Sequence, residues 1–555
     1  MMVMASSAMA QAKEGYTEYE GGPQWLGAND GLGGGLPAGV TIAAGGLAPS
    51  LPSSAVLSFK GVSQFDLRNI LGGSFIPPDT MGAVGASQFM ETTNGVYAIY
   101  NKANGALQSM VDARVFWAAA GMTDGSGLNG DARVMFDKPS QKWIALQFGA
   151  KISDIQIAVS TTSNALGPWQ STKFTGFAGG VNGGVADYPT LAIDAAGVYI
   201  GTNNFTCNNV SCSSASFSGT TLNVIARSDL LGGGAPTTAS LKQFVTPYPA
   251  GGERGFAIQG VNSSGASTGN VIAASLFAND SIRYKIANPG TAGATEGPVT
   301  LLGLNDYAGN GGGRQPDGTR NIDPLDERIG ASAWEHNGKI YAVYTATPLG
   351  GTHTEVRWFV TDATTNAVIQ QGAISDPNFD FYEGSLAINS AGQVVIGFNR
   401  SGLQTGDANG DGKADGNVSF LTRVFSTDSM GRLFQTDELL LHVSDIGNYH
   451  TGSVEGAAAA GRQRWGDYSA VTVDPNNDQL FWAIGEYAEH WNNAAGCSPG
   501  NPPGCTLSGG STWGTWIAEI NAGAAQVPEP ETYALMLAGL LGMGATLRRK
   551  TAAKV

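Results

Sequence analysis

The chain has 555 residues, a formal net charge of −15 and only 14% charged residues, against about 25% in an average soluble protein. Its 80 glycines, about double the usual share, argue against long surface helices and for short strands joined by tight turns. With no Lys/Arg cluster before the last residues, the chain lacks the basic face that a nucleic-acid partner needs for counterion release.

Residues 1–12 read MMVMASSAMAQA, with Ala8-Met9-Ala10 before Gln11. This matches the small-residue cleavage end of a signal peptide, and a disordered leader is the other reading. Residues 13–53 are rich in Gly and Pro and read as a disordered linker. The patterned body spans 54–521.

Within the body one phrase recurs: an apolar strand, a turn of Asp, Asn or Gly, then a second strand with an aromatic residue. It occurs as FMETTNGVYAIY from Phe89, VMFDKPSQKWIALQF from Val134 and LAIDAAGVYIGTNNF from Leu191. It recurs from Ala333, Leu386 and Val471, with a weaker copy from Ala257. Period-two alternation broken by a turn is the hairpin signal. Seven such units in succession predict an all-β fold, a β-propeller of about seven four-stranded blades. Six or eight blades, or a pair of β-sandwiches, are the alternatives. The early strand AVLSFKGV, from Ala55, is placed to complete the last blade.

A polar residue precedes the first strand of several units: Asp79, Asp131 with Arg133, Asp187 with Tyr188, Arg328, Glu383, and Asp467 with Tyr468. First strands line a propeller's central channel, so these side chains are expected to ring one mouth of it. Each carboxylate could instead fix a local turn through backbone amides. As a set, Asp79, Asp131, Arg133, Asp187, Arg328, Glu383 and Asp467 are the candidate catalytic residues. The body resembles secreted bacterial β-propeller proteins of unassigned activity. The resemblance rests on PPDTMGAVG, GDARVMFDKPSQKW, DYPTLAIDAAGVYIGTNNF and RWGDYSAVTVDP, and it implies the fold more than a function.

Cys207 with Cys212 and Cys497 with Cys505 form two close pairs. Neither has zinc-knuckle spacing or a neighbouring histidine, so two local disulfides and an oxidising compartment are expected. DANGDGKADG, Asp407 to Gly416, reads as a calcium loop. Asp407, Asn409, Asp411, the Lys413 carbonyl and Asp415 would supply hard oxygen ligands to a structural Ca2+. Position 12 is Val418 where a helical hand needs Glu, so the loop resembles those of dockerin-type extracellular repeats. The alternative is a plain Asn/Asp/Gly turn. There is no P-loop and no H-E-x-x-H. TLSGGSTWGTW, from Thr506, loosely resembles a sialidase turn, but Ser508 stands where Asp belongs.

The end of the chain has three parts. Pro528-Glu529-Pro530 is followed by the apolar stretch Tyr533 to Leu547 and then Arg548-Arg549-Lys550. As a helix that stretch is about 22 Å long, short beside the roughly 17 to 25 residues of a typical transmembrane span. The basic residues would stay cytoplasmic. The order of parts over 527–550 resembles the PEP-CTERM sorting signal. That resemblance implies a Gram-negative bacterium, recognition by an exosortase, and transient inner-membrane anchoring through a helix at 533–547. Delivery to the cell surface or extracellular matrix would follow. The reading is an exported binding protein for polysaccharide or another exported protein. The alternative is a secreted glycan-active hydrolase with an acidic site at the channel mouth.

Overall fold

A computed structural model describes residues 52–123, 130–149, 151–265, 267–305, 307–450, 463–491 and 511–523. The expected signal remnant, most of the linker, Cys497, Cys505 and the whole sorting tail lie outside them. The described residues are almost entirely β-structure. Antiparallel sheets, most of them four-stranded, follow one another along the chain, and they are lettered A to G here in chain order. Sheet A comprises Met81–Val84, Gln88–Thr93, Val96–Asn101 and Leu107–Asp112. Sheet B comprises Arg133–Asp137, Lys142–Phe148, Asp154–Ser160 and Trp169–Thr175. Sheet C starts with Gly184–Asp187 and Ala192–Ile193, which both pair with Gly197–Cys207, and continues through Ala215–Ala226 and Lys242–Pro247.

Sheets D and E are joined into one hydrogen-bonded sheet by a short parallel pairing of Val261–Ser263 with Ala333–Glu335. On either side of that seam the order is antiparallel: Phe256–Ser263, Asn270–Ala274 and Ser281–Ala287 in D, and Ala333–His336, Lys339–Pro348, Glu355–Asp362 and Val368–Ile374 in E. Sheet F comprises Phe379–Ile388, Val394–Gly402, Ser419–Thr427 and Leu433–Val443. Sheet G combines both ends of the described chain. Ser54–Ser63 pairs with Ser511–Asn521, which continues through Leu480–Trp491 to Ala470–Val473. The early strand therefore takes the outer place in the last sheet.

The last strands of sheets A, B and F are their least buried. Met81–Val84 and Gly184–Asp187 are buried along their whole length. The outer strands Trp169–Thr175 and Leu433–Val443 are mostly half-buried or exposed. A first strand covered on both faces and a half-exposed last strand place the first strands toward the centre.

Alternate residues of one strand serve different interfaces, as a period of two requires. On Lys142–Phe148, Trp143 and Ala145 pack toward sheet A with Met90 and Ile99. Ile144 and Leu146 pack toward sheet C with Val198 and Ile225. The series continues with Tyr199 and Leu222 against Ile258 and Ile282, then Val261 and Ile272 against Ile340 and Ala342. Val343 and Val356 meet Leu386 and Val394, and Val395 and Phe420 meet Val471 and Phe481. Finally Trp482 and Ile484 of sheet G pack with Met81 and Phe89 of sheet A. No sheet closes on itself by hydrogen bonds among the described residues, so the last sheet meets the first through side chains. The fold is all-β and propeller-like.

The glycines do more than make turns. The Phe420 ring lies where a Cβ on Gly485 would stand, so glycine inside a strand lets sheets F and G approach closely. The three described helices, Gln64–Leu71, Ala113–Ala119 and Arg227–Leu231, are all short. None is long and apolar enough to cross a membrane, and the expected helix at 533–547 lies outside the described residues.

Candidate functional site

The site begins with an unusual backbone feature. Asp79, Asp131, Tyr188, Ala257 and Glu383 all have left-handed φ, from 48° to 61°. Asp79, Asp131 and Ala257 stand just before, or at the start of, the first strand of a sheet, Tyr188 between Gly184–Asp187 and Ala192–Ile193, and Glu383 within Phe379–Ile388 where its register shifts. A non-glycine residue there is strained by roughly 1–3 kcal/mol. Five recurrences at one place in the fold mean that the surrounding contacts dictate the conformation.

Those contacts form one buried network. Asn94 Nδ2 donates to Asp79 Oδ2 at 2.7 Å, and the Asp131 amide donates to Asn94 Oδ1 at 2.9 Å. The Asp467 amide donates to Asp79 Oδ1 at 3.0 Å. Asp131 Oδ2 accepts the Tyr468 hydroxyl at 3.0 Å and the Tyr188 amide at 3.2 Å. Tyr188 and Tyr468 lie with ring centroids 4.9 Å apart, and guanidiniums cover both. Arg133 lies 3.6 Å from the Tyr468 centroid and Arg328 4.2 Å from that of Tyr188, cation–π contacts strengthened by burial.

Arg133 Nε donates to the Pro189 carbonyl at 2.8 Å. Arg328 forms a two-pronged pair with Asp326 at 2.6 and 2.7 Å, and its remaining nitrogen approaches Asp467 at 4.0 Å. Arg464 donates to Asp467 at 2.9 Å. Burial pushes the Tyr188 and Tyr468 hydroxyls up from their ordinary range, so both act as neutral donors at physiological pH.

Glu383 differs from the aspartates. It is 8% exposed, and neither carboxyl oxygen has a hydrogen-bond partner of ordinary geometry among the described residues. Burial first, then the charges of Glu486, Asp467 and Asp79, push its carboxyl well above the usual range. Glu486, fully buried in Leu480–Trp491, is pushed up in the same way by burial and by Asp79 and Asp467.

The structure thus brings together Asp79, Asp131, Arg133, Arg328, Glu383 and Asp467. Asp187 is buried opposite Asn203, and its neighbour Tyr188 joins the network, its amide to Asp131 and its ring under Arg328. Glu486, Asn94 and Asp326 were not among the expected residues. Glu486 interrupts the apolar run LFWAIGEYA, and a lone acid in a buried strand is the signal that could have found it. Asn94 sits in a hairpin turn and is hidden by the ordinary turn use of Asn-Gly.

In an antiparallel sheet, the start of the first strand and the loop between the second and third strands lie at the same end. The Cys207–Cys212 loop of sheet C and the Asp407–Asp415 insertion of sheet F are both loops of that kind. They therefore lie at the end of the fold where the buried network begins. Cys207 and Cys212 form a disulfide with Cα atoms 4.8 Å apart.

The Asp407 loop closes on its own backbone. Asp407 accepts from the amides of Gly410, Asp411 and Gly412, and Asp411 accepts from Lys413. Asp415 accepts from the Ala408 amide, and Asn409 donates to Asp411. Lys413 points its ammonium at the Val443 carbonyl and Asp445. No group of three His, Cys, Asp or Glu side chains is placed to hold a metal among the described residues. As folded, Asp407, Asp411 and Asp415, three of the expected calcium ligands, cap backbone amides of their own loop.

The chain carries the PEP-CTERM protein-sorting motif at residues 526–550. No curated protein matches it. Among solved structures it is similar to a protein of unknown function from Dyadobacter fermentans, at 8% identity and TM-score 0.36, covering 84% of this chain and 99% of that one. It is also similar to the Penicillium chrysogenum alpha-L-arabinanase complexed with arabinobiose, at 11% identity and TM-score 0.32, covering 66% and 98%. A third is the N11 neuraminidase-like protein of a flat-faced bat influenza virus, at 11% identity and TM-score 0.32, covering 85% and 94%. These likenesses are too distant to argue from.

Proposed function

We infer that this is an exported seven-bladed β-propeller that acts at the cell surface or in the extracellular matrix as a binding protein for polysaccharide or another exported protein. The sorting motif at 526–550 implies export and processing by an exosortase. Sheets A to G packing in chain order, with G returning onto A through Trp482 and Phe89, support the seven-bladed ring. The reading includes a transient inner-membrane anchor at 533–547 that processing removes.

The single observation that favours binding over catalysis is the engagement of the candidate aspartates. Asp79, Asp131 and Asp467 are nearly fully buried and hold amides, a tyrosine hydroxyl and arginines. Acid–base cleavage of a glycosidic bond needs two carboxyl groups that reach opposite sides of that bond. Carboxylates committed to the frame leave recognition to the loops above them.

A secreted glycan-active hydrolase is the second reading, and Glu383 is the observation that favours it. A buried carboxyl held protonated is what a general acid requires. Two experiments test the proposal. Mass spectrometry of the exported protein should find a C-terminus lacking Arg548 and Arg549. A glycan array probed with the mature protein should show retention of particular polysaccharides, whereas an array with no bound glycan would leave protein partners.

A further inference from the structure

We propose that Glu383 and Glu486 form a proton-operated latch at the junction of sheets A, F and G, closed while the pair holds a proton and forced open when both carboxyls ionise.

Both acids are fixed by their main chains to one another's sheets. The Glu383 carbonyl accepts the Ser469 hydroxyl at 2.8 Å, and the Glu486 carbonyl accepts Asn399 Nδ2 at 2.9 Å. Glu486 Oε1 also receives the Thr80 amide, at 3.4 Å, from the start of sheet A. Gly466 presses on the Glu486 carboxyl so closely that any Cβ there would clash with it. The left-handed φ of 53° at Glu383 adds backbone strain. The pair therefore cannot drift apart to relieve repulsion without moving the sheets that hold it.

The groups facing the pair make that repulsion acute. Asp79 comes from the turn before sheet A, and Asp467 from the turn before sheet G. Both are acids, and Tyr382 beside Glu383 is a buried hydroxyl with no hydrogen-bond partner among the described residues. The guanidiniums of Arg464 and Arg328 reach Asp467, so their charge is already met there. The Gly466 amide faces the Glu383 carboxyl but makes no hydrogen bond of ordinary geometry to it. Glu383 Oε1 and Oε2 and Glu486 Oε2 have no hydrogen-bond partner among the described residues. Full ionisation would set five buried carboxylates, those of Asp79, Asp131, Glu383, Asp467 and Glu486, against three guanidiniums. Like charges at short range in a low-dielectric interior cannot all be sustained.

The raised proton affinity of both glutamates supports the same reading, and it fixes the sign. The folded chain holds protons that the unfolded chain has released above the ordinary carboxyl range. Stability therefore falls as pH rises from that range toward the raised values. The junction concerned is also where the two ends of the described chain meet, through the pairing of Ser54–Ser63 with Ser511–Asn521. Loss of the proton would loosen the ring at its closure.

The test is thermal melting of the full chain between about pH 6 and about pH 9.5, for the wild type, Glu383→Gln, Glu486→Gln and the surface control Glu438→Gln. The latch predicts a fall in Tm with rising pH that both buried substitutions flatten and the control does not. It also predicts that Glu383→Gln melts no lower than the wild type at the alkaline end, because glutamine can donate to Glu486. Parallel profiles for all four proteins would overturn it. Infrared spectroscopy of the wild type needs no variant. A protonated carboxyl band that persists at about pH 9 is expected, and its absence there would equally overturn the latch.

Discussion

The Asp467 amide donates to the Asp79 carboxylate at 3.0 Å, across 388 residues of sequence. This contact joins the turn before the first strand of sheet A to the turn before the first strand of sheet G. With Trp482 stacked on Phe89, it makes the last sheet a neighbour of the first without any backbone–backbone ladder between their strands. One carboxylate thereby links the two extremities of the body.

Replacing Asp79 tests that link. Asp79→Ala removes acceptors for Asn94 and Asp467 and leaves a Cβ at φ 51°. A loss of about 2–4 kcal/mol is expected from two buried donors left unpaired. Asp79→Asn keeps an acceptor and tolerates the left-handed region, so it should cost less than half as much. Chemical denaturation midpoints measure both.

Glu91 holds the N-terminal strand in place. Its carboxyl accepts the Val62 amide, the Tyr100 hydroxyl and the Thr515 hydroxyl. Glu91→Ala should destabilise the protein by about 2–4 kcal/mol and speed hydrogen exchange in residues 54–63. Burial, against these hydrogen bonds, pushes Glu91 up to about 7. Its folded value thus lies above its unfolded one. Its contribution is present at acidic pH and is lost as pH rises toward 7. Glu91→Ala should therefore lose less stability, relative to the wild type, at about pH 8 than at about pH 5.

Reducing Cys207–Cys212 should have a local effect. The bridge closes a short loop, and chain-entropy reasoning gives about 2 kcal/mol for such a loop. Cys207→Ser with Cys212→Ser should lower stability by no more than that, measured against the oxidised protein. Thiol counting under denaturing conditions should find these two cysteines unreactive before reduction.

Calcium removal should leave the fold unchanged. A ligand present at a hundred times its dissociation constant would add about 2.7 kcal/mol. Because Asp407 is satisfied by three backbone amides, equal melting temperatures in calcium and in EDTA are expected. A clear rise with calcium would show that the loop holds the ion.

The hairpins were legible because each strand alternates for packing on two neighbours, as Trp143 and Ile144 do on opposite faces. Asp79, Asp131, Glu383 and Asp467 were legible as polar residues before apolar strands. Their convergence was not, because it depends on how sheets far apart in sequence meet. Glu486 was hidden inside a strand that reads as core. The Asp407 loop shows a different limit. Asp, Asn and Gly at alternate positions suit calcium and suit amide-capped turns equally, so sequence cannot separate the two. The short Cys207–Cys212 spacing needed no tertiary information, and that pair is bonded.

The most direct test of the central claim is to incubate the mature exported protein with a panel of polysaccharides and follow both retention and products by chromatography. The account predicts that one or more polysaccharides, or failing these an exported protein partner, are retained intact, with no released oligosaccharide. Oligosaccharide release by the wild type that Glu383→Gln abolishes, with the variant still folded, would contradict it and establish the hydrolase instead.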